Sequence, residues 1–149
     1  MSRAKAQRRQ LIIPSSQRYL KKVVAFIEGL ARKMAFDEDA TADIAISVSE
    51  AVNNAILHGN KSDEKKKVTI LAEQDAKLLT IWIRDEGARF CLEDVCNPLD
   101  PKNLTRCNGR GIFILRALMD EVTFSCAPSG GTEVKMIKRL KGTAAKRKK

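Results

Sequence analysis

The sequence has one histidine, one tryptophan and one tyrosine in 149 residues, and aromatic residues make up only 5%. A single histidine excludes any metal centre or catalytic arrangement that needs two imidazoles. The cysteines Cys91, Cys96, Cys107 and Cys126 include no C-x-x-C pair. Free thiols in a reducing cytoplasm are the expectation, not a zinc site or a disulfide framework. No apolar run approaches the ~18 residues of a membrane span, and the N-terminus carries no signal-peptide core, so a cytoplasmic protein is expected. Neither G-x-x-x-x-G-K-[ST] nor G-x-S-x-G occurs. That excludes a P-loop and the nucleophile elbow of serine hydrolases.

A further lack is local. Between Met34 and Asn60 there is no Lys or Arg, although the whole chain has 28. The net charge of +10 resides mainly at the ends: residues 1–9 carry +4 and residues 138–149 carry +7, which leaves −1 for residues 10–137. A near-neutral body argues against a nucleic-acid interface on the fold itself. The expected organisation is a disordered basic arm over residues 1–9, one folded domain over 10–140 and a basic tail over 141–149. A body of that size can bury a single real core.

Leu11-Ile12-Ile13-Pro14 reads as an edge strand stopped by proline. Ser15 or Ser16 can cap a helix to about Met34, with Leu20, Val23, Val24, Ile27 and Leu30 on one side. Asp37 or Asp39 opens a second helix through about Leu57, with Ile44, Val48, Ala51, Val52 and Ala55 as its core stripe and Gly59 as its C-terminal glycine. Strands follow at Val68 to Gln74 and Leu78 to Asp85, joined by a hairpin. Period two sets Asp85 on the face of Leu79, Ile81 and Ile83, where an acid needs a partner. Residues 86–108 read as a long loop with one helical turn near Leu92 to Cys96. A short helix from Ile112 to Met119, a strand with Val122, Phe124 and Cys126, a turn at Pro128 to Gly131 and a last strand from Thr132 to Leu140 complete the chain. This order predicts an α+β two-layer sandwich: a mixed, mainly antiparallel sheet with helices on one face.

The base-free stretch contains Ser49-Glu50-Ala51-Val52-Asn53-Asn54-Ala55-Ile56-Leu57-His58-Gly59. Glu50, Asn54 and His58 are spaced by four, which on a helix stacks a carboxylate, a carboxamide and the lone imidazole in one row. Such a row can hold a hydrated divalent cation and a hydroxyl at one edge of a pocket. Asp85-Glu86-Gly87 pairs an acid with a glycine that lets a flat ligand approach the backbone. Gly109-x-Gly111 ahead of a helix can offer backbone N–H groups to phosphate.

These pieces in this order, with Gly131-Thr132 as the last, resemble the N box and the three glycine boxes of the GHKL superfamily. Gyrase B subunits, MutL proteins and histidine kinases belong to it, on the Bergerat ATP-binding fold. The Ser49 to Gly59 phrase and Arg84-Asp85-Glu86-Gly87 are closest to the bacterial anti-sigma-factor serine/threonine kinases, and the resemblance covers about residues 10–140. It implies ATP and Mg2+ as cofactors. It implies Asn54 as the magnesium ligand, Glu50 as general base, Asp85 as acceptor of the adenine amino group and Gly87 as the surface under the base. It implies Gly109 and Gly111 around the phosphates with Arg106 and Arg110 nearby, Thr132 behind Asp85, and residues 91–108 as a lid. The implied partners are a sigma factor, a small antagonist protein as phosphoacceptor, and a second copy in a homodimer. Arg89 stands where a second glycine follows Asp85-x-Gly87 in the family, which keeps a non-catalytic, nucleotide-responsive binding switch as the alternative.

Overall fold

The computed structural model of the protein describes residues 6–87, 109–127 and 130–140, and of residues 109–112 the backbone alone. The expected lid, its helical turn, Arg89, Arg106, Pro128, Ser129 and the outermost tail residues lie outside the described residues.

Five strands form one sheet in the order β1-β2-β3-β5-β4, with β1 Gln7–Pro14, β2 Lys67–Gln74, β3 Leu78–Arg84, β4 Glu121–Cys126 and β5 Thr132–Arg139. Every described pairing is antiparallel. Alternation sends Val68, Ile70, Ala72, Leu79, Ile81, Ile83, Val122 and Met136 to one face, all buried. There they meet Val23, Ile27 and Leu30 of helix α1 (Leu20–Lys33) and Ile44, Val48 and Val52 of helix α2 (Glu38–Asn54) in one cluster. Leu115 of helix α3 (Gly109–Leu118) joins the same cluster. Burying each large aliphatic side chain contributes roughly 1.5–3 kcal/mol. The opposite face carries Leu71 and Trp82 half-buried and Ile12 half exposed. The architecture is thus the α+β two-layer sandwich, with helices on one face of the sheet.

The N-terminal boundary differs from the charge-based expectation. β1 begins at Gln7, so Arg8 and Arg9 belong to the sheet and not to a disordered arm. Residues 7–10 are exposed on both faces, which hides them from an apolar pattern. What holds them is the backbone ladder with Leu71 to Gln74, with Arg8 beside Glu73 at 3.7 Å. At the other end, Lys138 and Arg139 lie in β5. Lys138 is only 7% exposed; it donates to the Leu118 carbonyl at 2.5 Å and lies 3.7 Å from Asp43, fastening the end of α3 to the sheet. An amine so placed is a structural tie and not tail charge.

Between the two expected caps of each helix the structure discriminates. Ser16 accepts from the Arg18 N–H and caps a 3-10 turn, Gln17–Tyr19, that leads into α1. Asp37 accepts from the Ala40 N–H at 2.8 Å and caps α2. α1 ends through Ala35 at φ 69, with Phe36 N–H returning to the Ala31 carbonyl at 3.1 Å. An L-residue in that left-handed position costs about 1–2 kcal/mol, which glycine avoids while losing part of the gain through its looser unfolded state. Ala35→Gly is expected to stabilise the protein by about 0.5–1 kcal/mol, read as a higher denaturant midpoint at unchanged slope.

Candidate functional site

The end of α2 departs from the sequence expectation. The α-helix stops at Asn54, and Ala55–Gly59 continue as a single π turn. The Asn60 N–H reaches back to the Ala55 carbonyl at 2.8 Å, an i to i+5 bond. Ile56 is buried, whereas Leu57 and His58 turn outward to solvent. Glu50 and Asn54 share a row of α2, and His58 lies beyond it in the π turn, exposed to solvent. Single-turn π bulges concentrate at functional sites.

Gly59 does not end the helix by a left-handed conformation, because only Gly130 and Gly131 among the described glycines have positive φ. Its reason is space. A Cβ at Gly59 would stand 2.2 Å from Asp85 Oδ2. A Cβ at Gly87 would stand 1.8 Å from the Gly59 carbonyl oxygen, and one at Gly131 2.2 Å from the Asp85 carbonyl oxygen. Three glycines from three segments thus close around one aspartate.

Asp85 follows β3 on the core side, as period two requires, and is 6% exposed. Its backbone N–H donates to the Thr132 carbonyl at 3.1 Å, which joins it to the start of β5. Its Oδ1 accepts from the Gly87 N–H at 3.0 Å and the Thr132 N–H at 3.1 Å. Among the described residues no donor reaches Oδ2. Burial pushes the carboxyl above its ordinary value, and the two N–H donors and the charge of Lys66 oppose that push. The result is a buried acid with one oxygen fixed and, among the described residues, no donor on the other, packed against three glycines that leave no room for a side chain. These residues fit a planar base that presents an amino group, which can donate to Oδ2.

Asn54 stands one π turn from that cradle, and the five residues to Gly59 limit the separation of the two backbones to roughly 18 Å. Glu50, four residues earlier and half-buried, lines an open groove of about 430 Å³ between α1 and α2. Leu20, Val24 and Ile46 form its apolar wall, and Asn53, which accepts from Gln17 at 2.5 Å, also lines it. The glycine pair falls within a helix, since α3 starts at Gly109 and takes Gly109 and Gly111 into its first turn. First-turn N–H groups have no partner inside a helix and so suit an anion. α3 packs on α2, the helix carrying Glu50 and Asn54. The side chain of Arg110 and all of Arg106 lie outside the described residues. Among the described residues there is no group of three His, Cys, Asp or Glu side chains able to hold a metal ion. A magnesium ion fits here only with few protein ligands and with phosphate oxygens completing its shell, its usual manner with nucleotides.

The fold and this cradle define the class. The chain belongs to the family described as the histidine kinase-like ATPase domain, which it matches over residues 13–138. Within it the relatives carry a narrower name. The anti-sigma F factor of Bacillus velezensis is 34% identical over 125 residues, 83% of either chain. The serine-protein kinase RsbW of Bacillus subtilis is 28% identical over 139 residues, 89% of this chain and 86% of its own. The RsbW protein of Staphylococcus epidermidis is 30% identical over the same coverage. The solved structure of the RsbU and RsbW domains of a Mycobacterium tuberculosis protein superposes with a TM-score of 0.64 at 19% identity. It covers 90% of this chain, which spans about a third (32%) of that longer one, and it shows the shared fold. Membership of the GHKL anti-sigma kinase family, read above as a resemblance, is established. No helix among the described residues is long and apolar enough to cross a membrane.

Proposed function

We propose that this chain is an ATP-dependent protein serine/threonine kinase of the anti-sigma type, which binds a sigma factor or similar regulator and phosphorylates a small antagonist protein. The observation that carries this reading is Asp85: a buried carboxylate whose Oδ2 meets no donor among the described residues, packed against Gly59, Gly87 and Gly131 at the end of the helix that bears Glu50 and Asn54. In this reading Asp85 accepts the adenine amino group, and Gly87 lies under the base. Thr132 fixes Asp85 Oδ1 through its N–H. The first turn of α3, with Gly109 and Gly111, binds phosphate oxygens through backbone N–H groups, with Arg106 and Arg110 adding charge. Asn54 would hold magnesium through its side-chain oxygen, and that ion would offset the charge on the phosphoryl oxygens during transfer.

Glu50 takes the proton from the attacking serine or threonine hydroxyl. That oxygen bonds to the γ-phosphorus, the bond to the β-phosphate oxygen breaks, and ADP leaves. The groove beside Glu50 is open, which suits an acceptor that arrives on another protein. The family reading also makes the folded body, β1 from Gln7 included and running to about residue 140, the working domain, acting in the cytoplasm as a homodimer.

The test is phosphoryl transfer. With Mg2+ and γ-labelled ATP, the purified protein is expected to label one serine or threonine of its antagonist. Tight ATP binding with no transfer to any antagonist would instead favour the non-catalytic switch.

A further inference from the structure

Asn60 is 1% exposed, and its carboxamide joins three chain segments. Its Nδ2 donates to Ser15 Oγ at 2.7 Å and to the Lys67 carbonyl at 3.0 Å. Its Oδ1 accepts from the Glu86 N–H at 2.7 Å. The opposite amide orientation would set donor against donor at Glu86 and acceptor against acceptor at Lys67, so the network admits one orientation. Ser15 Oγ in turn donates to the Lys66 carbonyl at 2.7 Å, and Lys67 N–H donates to the Glu86 side chain at 2.9 Å. The residue that follows the π turn therefore clamps the ends of β1 and β2 to Glu86, the immediate neighbour of Asp85.

We propose that Asn60 is a positioning residue for base recognition: through the Glu86 N–H its carboxamide fixes Asp85-Glu86-Gly87 against the end of α2, and so aims Asp85 Oδ2 at the base. This rests on the reading of Asp85 as the acceptor of the adenine amino group. Asn60 touches no ligand itself. Its effect is on discrimination, because the contacts of Gly59 and Gly131 confine Asp85 from two sides, while the Glu86 side is confined by Asn60. A purely structural tie would weaken all nucleotides alike. An aiming device weakens only those whose amino group Asp85 reads.

The experiment compares ATP with inosine triphosphate, which has a carbonyl where adenine has its amino group, by calorimetry on the full chain. The wild type is expected to prefer ATP by at least about tenfold, the value of one charge-assisted hydrogen bond. Asn60→Ala is expected to lose most of that preference, with ATP affinity falling about tenfold and inosine triphosphate affinity nearly unchanged. Ser15→Ala, which removes only one node of the network, keeps the test readable if the first variant does not fold; its preference should fall about threefold. Folded variants that keep the wild-type preference while melting earlier would overturn the role of Asn60 alone. A wild type that binds both nucleotides equally would overturn the reading of Asp85, and this proposal with it.

Discussion

Asp85→Asn is expected to lose ATP while keeping its fold. The amide preserves an oxygen for the Gly87 and Thr132 N–H groups, so the local backbone retains both of its bonds. It replaces the free Oδ2 with an NH2 that faces the adenine amino group, donor against donor. Hydrogen bonds to charged groups contribute about 1.5–3 kcal/mol, and the clash puts this case at the upper end. Calorimetry should show ATP affinity reduced by about 100-fold. Stability should move the other way. Burial raises the Asp85 carboxyl above its ordinary value of 3.8, so the charged form is the disfavoured one in the folded protein. Its contribution to stability is complete below 3.8 and is lost as pH rises through the folded value. At neutral pH the wild type bears that penalty and the asparagine variant does not. The variant should melt at an equal or higher temperature near neutrality, and its advantage should vanish as the solution is acidified below 3.8. A variant that melts much earlier at neutral pH would mean that Asp85 is a structural acid.

Glu50→Gln separates chemistry from binding. Glu50 is half-buried in the wall of the groove, and glutamine keeps its shape and its helix propensity. What it loses is the ability to take a proton. Single-turnover transfer to the antagonist should fall by about 10²–10⁴-fold, the usual contribution of a general base. ATP affinity should stay within about twofold, because no binding contact is removed. The two substitutions thus give opposite signatures: Asp85→Asn is rescued by no change in the acceptor and fails at nucleotide binding, whereas Glu50→Gln binds and does not transfer. Transfer at the wild-type rate by Glu50→Gln would remove Glu50 from the reaction.

The parts legible in the sequence are those governed by local periods. The stripe of Ile44, Val48, Ala51 and Val52 repeats at helical spacing and is buried as read. Leu79, Ile81 and Ile83 alternate and are buried, and the same count carries Asp85 to the core side. The α+β architecture follows from those elements and their short connections. What was not legible depends on contacts between distant segments. Helical period extends smoothly through Leu57, and nothing in the composition of Ala55 to Gly59 announces a π turn. Gly59 was read as a conformational glycine, and its real constraint is Asp85, 26 residues away in sequence but in contact in space. The role of Asn60 carries no signal in the sequence, because its partners Ser15, Lys67 and Glu86 meet it only after the sheet has formed. The same holds for Gln7 to Gln10, which show no apolar face and are ordered by pairing alone.

The account stands on one pocket, and a structure of the protein with Mg2+ and a non-hydrolysable ATP analogue tests it most directly. The adenine amino group is predicted within hydrogen-bond distance of Asp85 Oδ2, over Gly87, with the phosphates reaching toward Asn54 and the first turn of α3. An analogue seated elsewhere, with the Asp85 cradle left to solvent, would contradict it.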